Sequence, residues 1–222
     1  RFIMTFPNET LPKGRKQKTT ALYDRFINQG AVMGDSFGLE NVLWFANNKN
    51  DAFENPTIKR SRSHDYVSKE VINVRENVGL IEVANFSKHE FKGPDARKFL
   101  DHIMAGRLPK PGRISLSPML SYRGKLCGDL TVASFDENEF IVFGSGAAQE
   151  MHRRWFESHL GKFNLNYTNR SDEFHGLSIA GPNSRKVLEK IVRDDVSNEK
   201  FKFRDSRSCL LYTSDAADEV QC

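Results

Sequence analysis

Ile114-Ser-Leu-Ser-Pro-Met-Leu-Ser-Tyr-Arg-Gly-Lys-Leu-Cys-Gly-Asp-Leu-Thr-Val-Ala-Ser-Phe-Asp-Glu-Asn-Glu-Phe-Ile-Val-Phe143 is the stretch on which the fold turns. It breaks into three short apolar-rich runs, Ile114–Leu120, Leu126–Phe135 and Phe140–Phe143. Tyr122-Arg-Gly-Lys and Asp136-Glu-Asn separate them. Runs of this length bounded by Gly, Asp and Asn predict strands joined by tight turns, and tight turns force antiparallel pairing. In the middle run a period of two places Leu126, Gly128, Leu130 and Val132 on one face. Cys127, Asp129, Thr131 and Ala133 fall on the other. The first set is a core face. The second is small, half polar and carries one carboxylate.

Working outward, Gly93-Pro94-Asp95 opens a helix through Met104, with the proline in a first turn where its missing N–H leaves no bond unmade. Strands are expected at Leu80–Ala84 and His89–Lys92 before it. After the three-strand stretch come a helix at Ala147–Leu160, strands at Phe163–Tyr167 and Leu177–Ala180, and a helix at Pro182–Val192. Upstream, helical spacing runs over Ser68–Val78 and stops at Gly79. Thr20 precedes a short helix, Ala21–Asn28, and Phe2–Phe6 reads as a strand. Residues 31–63, with Gly34, Gly38, Asn47-Asn48 and Pro56, read as an irregular segment held to a core by Phe37, Leu43, Trp44 and Phe45. Hairpins mixed with helices, without βαβ alternation, give an α+β class: antiparallel sheets with flanking helices. Phe91-Lys-Gly-Pro-Asp-Ala-Arg-Lys-Phe-Leu100 and Ile179-Ala-Gly-Pro-Asn-Ser-Arg-Lys-Val-Leu188 repeat one strand–Gly-Pro–helix unit.

Composition narrows the function classes. The 222 residues are 38% hydrophobic and 28% charged with a net charge of +4, enough apolar mass for a core. No apolar run approaches the ~20 residues of a membrane span. The densest basic run, Lys13-Gly-Arg-Lys-Gln-Lys18, lacks the interleaved aromatics of a nucleic-acid surface and reads as a solvated connector. Three cysteines without a Cys-x-x-Cys pair suggest neither a disulfide framework nor a metal site, and point to a reducing compartment. With no leader-like segment at Arg1, cytoplasm is expected, with the mitochondrial matrix as the alternative. Cys209–Glu219 reads like the in-frame translation of a transposon-based sequencing adapter. Residues 209–222 are therefore expected to lie outside the natural protein, and the non-Met start to mark a missing beginning.

Candidate chemistry is sparse. Asp129 is either an aspartate on the wet face of a sheet or a cavity carboxylate able to accept hydrogen bonds and a proton from a bound amine. Gly144-Ser-Gly-Ala-Ala-Gln149 begins like a dinucleotide fingerprint, but Gln149 replaces its third glycine and its strand comes from a hairpin. A small-residue turn that lets a helix start approach a ligand closely fits better. The six histidines show no ligand spacing and read as surface or core-edge residues. No Gly-x-Ser-x-Gly supports a hydrolase. Trp44, Phe45, Trp155 and Phe156 read as core.

Three segments then connect. Val78-Gly-Leu-Ile-Glu-Val-Ala-Asn-Phe-Ser-Lys-His-Glu-Phe-Lys-Gly-Pro-Asp-Ala96, Leu116-Ser-Pro-Met-Leu-Ser-Tyr-Arg-Gly-Lys-Leu-Cys-Gly-Asp-Leu-Thr-Val132 and Gly176-Leu-Ser-Ile-Ala-Gly-Pro182 resemble, in order, signature segments of the glycine-cleavage T-protein (aminomethyltransferase) family. Phe6-Pro-Asn-Glu-Thr-Leu-Pro12, Leu22-Tyr-Asp-Arg-Phe26, Gly34-Asp-Ser-Phe-Gly-Leu-Glu40 and Leu43-Trp-Phe-Ala46 are similar to the connection between the flavin and folate halves of dimethylglycine and sarcosine dehydrogenase-like enzymes. Arg107 and Gly144-Ser145 depart from the asparagine and the Asn-Ala pair common in relatives.

The resemblance implies a T-protein-like folate-binding fold truncated at both ends. Its parts would be a connector over 1–63, a partial folate-binding domain over 64–208 and the adapter scar. It implies that Asp129 is the acid at the folate site, with Met119, Phe143 and Ser145 as further folate contacts. Tetrahydrofolate is the implied cofactor, with FAD only in a missing N-terminal half. The implied reaction passes a methylene unit from an N-methylated amino acid to tetrahydrofolate. A free-standing aminomethyltransferase or demethylase, or a non-catalytic folate binder, is the alternative. The chain alone is expected to lack dehydrogenase activity.

Overall fold

The computed structural model describes residues 12–54, 57–209 and 211, so the strand expected at Phe2–Phe6 and residues 212–222 lie outside it. Its helices are α1 (Tyr23–Asn28), α2 (Ser63–Glu76), α3 (Ala96–Ile103), α4 (Gln149–Leu160) and α5 (Ser184–Leu188). The strands are β1 (Ala31–Ser36), β2 (Leu39–Phe45), β3 (Gly79–Glu82), β4 (Phe86–Lys92), β5 (Arg113–Leu120), β6 (Leu126–Ser134), β7 (Glu139–Ser145), β8 (Asn166–Asn169) and β9 (Leu177–Ala180). All strand pairs are antiparallel, as the hairpin pattern requires. The chain divides into two compact units, residues 1–85 with 175–184, and residues 86–174 with 185–222.

In the first unit, residues 31–63 are not the irregular segment expected: β1 and β2 form a hairpin. Its two-residue turn is Phe37-Gly38, with φ of 54° and 87°. Both central residues lie in the left-handed region, which a two-residue hairpin favours, but Phe stands where Asn or Asp would have announced the turn. Trp44 is buried with Val32 and Ala46, and its ring lies 4.9 Å from that of Tyr66 on α2. The indole nitrogen donates to Glu54 at 2.9 Å. Tyr66 and Arg62 both reach Asp51, at 2.8 and 2.7 Å, and tie the start of α2 to the loop before it. Glu40 is buried within β2 and is held by Arg15, whose Nε donates at 2.8 Å. Arg15 belongs to the basic run read as a solvated connector, so that run is anchored rather than free. β3 and β9 pair as a separate ribbon.

The second unit is a five-stranded sheet in the order β5-β6-β7-β4-β8. Alternation sends Phe91 of β4, Met119 of β5, Leu130 and Val132 of β6, and Phe140 and Val142 of β7 to one face. There they pack under Ala96, Phe99, Leu100 and Ile103 of α3 and under Phe156 of α4. At about 1.5–3 kcal/mol for each large apolar side chain buried, this layer supplies much of the unit's stability. β8 begins three residues later than the expected Phe163 start. Phe163 instead serves as an apolar anchor, its ring 5.5 Å from Phe99, and the polar run Asn166–Asn169 makes the edge strand. α5 is shorter than the expected Pro182–Val192.

Candidate functional site

Residues directly opposite across a ladder project from the same face. Asp129 of β6 faces Pro118 of β5, and Thr131 faces both Leu116 and, on β7, Phe143. Phe143 and Ser145 in turn face Lys88 and Phe86 of β4. The sheet therefore gathers Asp129, Phe143 and Ser145, three of the four anticipated folate contacts, on the face away from α3 and α4. Met119 does not join them. It pairs with Gly128 and lies fully buried in the helix-covered core, so its role in this geometry is packing.

The gathered face is open and mixed in character. Asp129 and Ser145 are exposed, Thr131 and Phe143 half-buried, and Leu116 is 62% exposed. Among the described residues no hydrogen bond or ion pair occupies the Asp129 carboxylate. Lys88 shares the face, yet its side chain is buried and its ammonium donates to Phe86 O at 2.8 Å. Burial lowers the Lys88 pKa, partly offset by Asp172. An unengaged carboxylate beside an aromatic ring and aliphatic side chains can hold a flat heterocycle. The carboxylate takes ring N–H donors in charge-assisted bonds, and Phe143 and Leu116 supply apolar contact.

At the start of β6 the strict alternation fails. Leu120 pairs with Leu126 and Met119 with Gly128, which leaves Cys127 as the extra residue of a bulge. Leu126 is 64% exposed although alternation assigned it to the core face, while Cys127 packs against the core.

Two of the six histidines correct the reading that placed them all at the surface or the core edge. His89 and His152 are buried, not surface residues. His89 Nδ1 shares a 2.8 Å hydrogen bond with the Tyr167 hydroxyl, and His152 Nε2 donates to the Cys127 carbonyl at 3.3 Å. Desolvation, with a smaller contribution from neighbouring His152, pushes His89 down to about 4. His152 is also lowered by burial, and Tyr167 is raised for the same reason. Gly128 and Gly144 make the seat for this ring: a Cβ on Gly144 would lie 2.9 Å from His152 Nδ1 and 2.8 Å from Leu130 Cδ2. At Gly144 itself the close approach is to a core imidazole. The β4 period of two, which puts His89 in step with Phe91, was the available signal. Among the described residues no group of three or more His, Cys, Asp or Glu side chains converges to hold a metal, and no helix is long and apolar enough to cross a membrane.

Comparison with known proteins places these features in context. The family described as GCVT N-terminal domain matches residues 22–217. Mitochondrial dimethylglycine dehydrogenase of Mus musculus is 33% identical over 210 residues, which cover 93% of this chain and 24% of that protein. The Homo sapiens protein of that name is 32% identical over 210 residues, covering 93% and 24%. An aminomethyltransferase of Staphylococcus epidermidis is 25% identical over 217 residues, covering 92% of this chain and 54% of that protein. Among solved structures, glycine cleavage system aminomethyltransferase T from Bartonella henselae matches with a TM-score of 0.62 at 20% identity. That match covers 78% of this chain and 43% of that one, and it shows the fold. The chain spans about a quarter of the length of the dimethylglycine dehydrogenases it matches.

Proposed function

The chain belongs to the GCVT N-terminal domain family, and from that premise we propose that it is the folate-binding, one-carbon-transfer module of a flavin-dependent dimethylglycine or sarcosine dehydrogenase-like enzyme. The observation that carries this reading is the unengaged Asp129 carboxylate on the open sheet face beside Phe143 and Ser145. The higher identity to dimethylglycine dehydrogenase than to the aminomethyltransferase, 33% against 25%, favours the flavoenzyme module over a free-standing transferase.

The donor set suits tetrahydrofolate: one carboxylate for the amino and ring N–H groups of a pteridine, an aromatic ring and aliphatic side chains for its faces, and a hydroxyl at Ser145. Bound there, tetrahydrofolate supplies the nitrogen nucleophile that takes up a methylene unit. Asp129 orients that nucleophile and accepts the proton its nitrogen sheds. Phe143 and Leu116 exclude water from one side, and Ser145 offers a hydroxyl at the end of β7. Met119 supports the site from beneath, through its pairing with Gly128 next to Asp129.

FAD and the oxidation of an N-methylated amino acid belong to a part of the protein outside these 222 residues. We assign residues 1–63 to a connector, 64–208 to the folate domain and 209–222 to a non-native tail. The mitochondrial names of the relatives favour the matrix over the cytoplasm. The test is Asp129→Asn in the full-length enzyme. Formation of 5,10-methylenetetrahydrofolate from dimethylglycine is expected to collapse while reduction of an electron acceptor persists. One-carbon capture at the unsubstituted rate refutes the assignment.

A further inference from the structure

The β5–β6 hairpin ends in a turn that presents one aromatic side chain to solvent. Ser121 N–H donates to Lys125 O at 2.7 Å, and Lys125 N–H donates back to the Ser121 hydroxyl at 3.1 Å. Gly124, with a φ of 69°, donates its N–H to Ser121 O at 2.8 Å. Tyr122 stands at the tip of this closed turn and is 88% exposed. It does not point freely into water. Its ring centroid lies 5.5 Å from Trp155 and 5.9 Å from His159, which sit one turn apart on α4, and those two rings are 4.5 Å from each other. The Tyr122 hydroxyl lies 3.0 Å from His159 Nε2.

The far side of the imidazole sets the direction of that bond. His159 Nδ1 is 2.7 Å from the Trp155 carbonyl, which can only accept, so Nδ1 carries the ring proton. The Ser158 hydroxyl donates to the same carbonyl at 2.8 Å and is therefore an acceptor where it meets Nδ1 at 3.0 Å. In the neutral imidazole Nε2 then holds the lone pair, and Tyr122 O–H donates to it. An exposed phenol is thus held on a base whose tautomer is already fixed to take its proton.

We propose that Tyr122 is a modification site, the phenol of this chain that one-electron oxidants such as the nitrogen dioxide radical attack first, with His159 as the base that takes its proton. A phenol gives up an electron readily when its proton leaves at the same time. One electron passes from Tyr122 to nitrogen dioxide, which becomes nitrite. The phenolic O–H bond breaks and its proton bonds to His159 Nε2, which leaves a neutral phenoxyl radical beside an imidazolium. A second nitrogen dioxide radical couples at the ring carbon next to the C–O carbon. The hydrogen on that ring carbon moves to the oxygen as a proton and restores the phenol, now 3-nitrotyrosine, while His159 returns its proton to solvent.

The other described tyrosines lack one part or another of this arrangement. Tyr167 also meets an imidazole, His89 Nδ1 at 2.8 Å, but burial holds His89 down to about 4, too weak a base to keep a proton. Tyr66 donates at 2.8 Å to Asp51, whose carboxyl is held below its ordinary range by hydrogen bonds from Tyr66 and Asn48. A carboxylate is in any case a weaker base than an imidazole. Tyr23 has the Lys16 ammonium 4.7 Å over its ring, and a positive charge there opposes the loss of an electron. Exposure and a hydrogen-bonded imidazole able to accept the proton coincide at Tyr122.

The test treats the full-length protein with peroxynitrite in bicarbonate buffer, a source of carbonate and nitrogen dioxide radicals, and reads nitration by mass spectrometry of tryptic peptides. The peptide Ile114–Arg123 has Tyr122 as its one tyrosine and should carry more nitration than the peptides of Tyr23, Tyr66 or Tyr167. His159→Phe keeps a ring against Trp155 and removes the base; His159→Gln keeps a hydrogen-bond acceptor and removes the base. Nitration of Tyr122 should fall at least about tenfold in both, a modest share of what a positioned base contributes to proton transfer. Nitration of Tyr122 should also slow in D2O in the unsubstituted protein and lose that dependence in both variants. More nitration at Tyr23, Tyr66 or Tyr167 than at Tyr122 overturns the proposal. So does undiminished nitration of Tyr122 in either folded variant, because exposure alone then accounts for it, and so does a rate in the unsubstituted protein that is indifferent to D2O.

Discussion

Replacing Gly144 by alanine tests whether the Gly144-Ser-Gly turn is a packing device. A Cβ at this position would lie 2.8 Å from Leu130 Cδ2, 2.9 Å from His152 Nδ1 and 3.1 Å from His152 Cε1. Both side chains are buried, and His152 is further tied to the Cys127 carbonyl, so neither can yield freely. Overpacking of this kind costs about 1–3 kcal/mol, and the reduced freedom of the unfolded chain returns about 0.4–1 kcal/mol. A net loss of about 1–2 kcal/mol is expected. In a His152→Ala background two of the three close contacts vanish, and the penalty for Gly144→Ala should shrink by at least about 0.5 kcal/mol. Gly14, with nothing within 4 Å of its added Cβ, is the control. Urea unfolding of the two single variants, the double variant and Gly14→Ala measures all of this. If Gly144→Ala is as harmless as Gly14→Ala, or if its penalty is the same with and without the imidazole, the seat for His152 is not what demands glycine.

Acidification should destabilise the second unit in a defined window. His89 is held near 4 in the fold against 6.5 in the unfolded chain, so between these values the unfolded chain binds a proton that the folded chain refuses. Stability should be constant above pH 6.5 and fall by up to about 1.4 kcal/mol per pH unit toward pH 4. His89→Phe should flatten the slope, and a urea midpoint that stays level across the window contradicts it. Phe91→Ala, at the centre of the aromatic core, should cost about 3–5 kcal/mol in equilibrium unfolding; less than about 1 kcal/mol would place Phe91 outside that core. Arg15→Ala leaves the buried Glu40 carboxylate without its guanidinium partner. A loss of about 1–3 kcal/mol is expected, partly recovered in Arg15→Ala/Glu40→Gln, and an unchanged Tm would show that the pair contributes nothing.

Elements whose residue types agreed with their period were legible in the sequence. β5, β6, β7 and α3 stand close to where alternation, tight turns and Gly93-Pro94 put them. The β1–β2 hairpin was hidden because its left-handed turn is Phe37-Gly38 and its second strand buries Glu40, a residue that pattern reading assigns to solvent. β8 was misplaced because Phe163 and Leu165 are apolar for tertiary reasons, while the strand itself is polar. For the site, strand alternation separated Asp129 from Leu130 correctly, but only cross-strand register reveals that Phe143 and Ser145 lie on its face and Met119 on the other. The burial of His152 depended on two glycines from neighbouring strands, a coincidence in space that no single strand announces.

The binding constant of tetrahydrofolate for the full-length protein, measured with and without Asp129→Ala, tests the central claim most directly. Asp129 is exposed and unengaged, so its removal should leave far-UV circular dichroism and Tm unchanged. Losing a charge-assisted contact worth about 1.5–3 kcal/mol should weaken binding by about 10- to 150-fold. An unchanged Kd in a folded variant would contradict the account and remove the folate site from this face of the sheet.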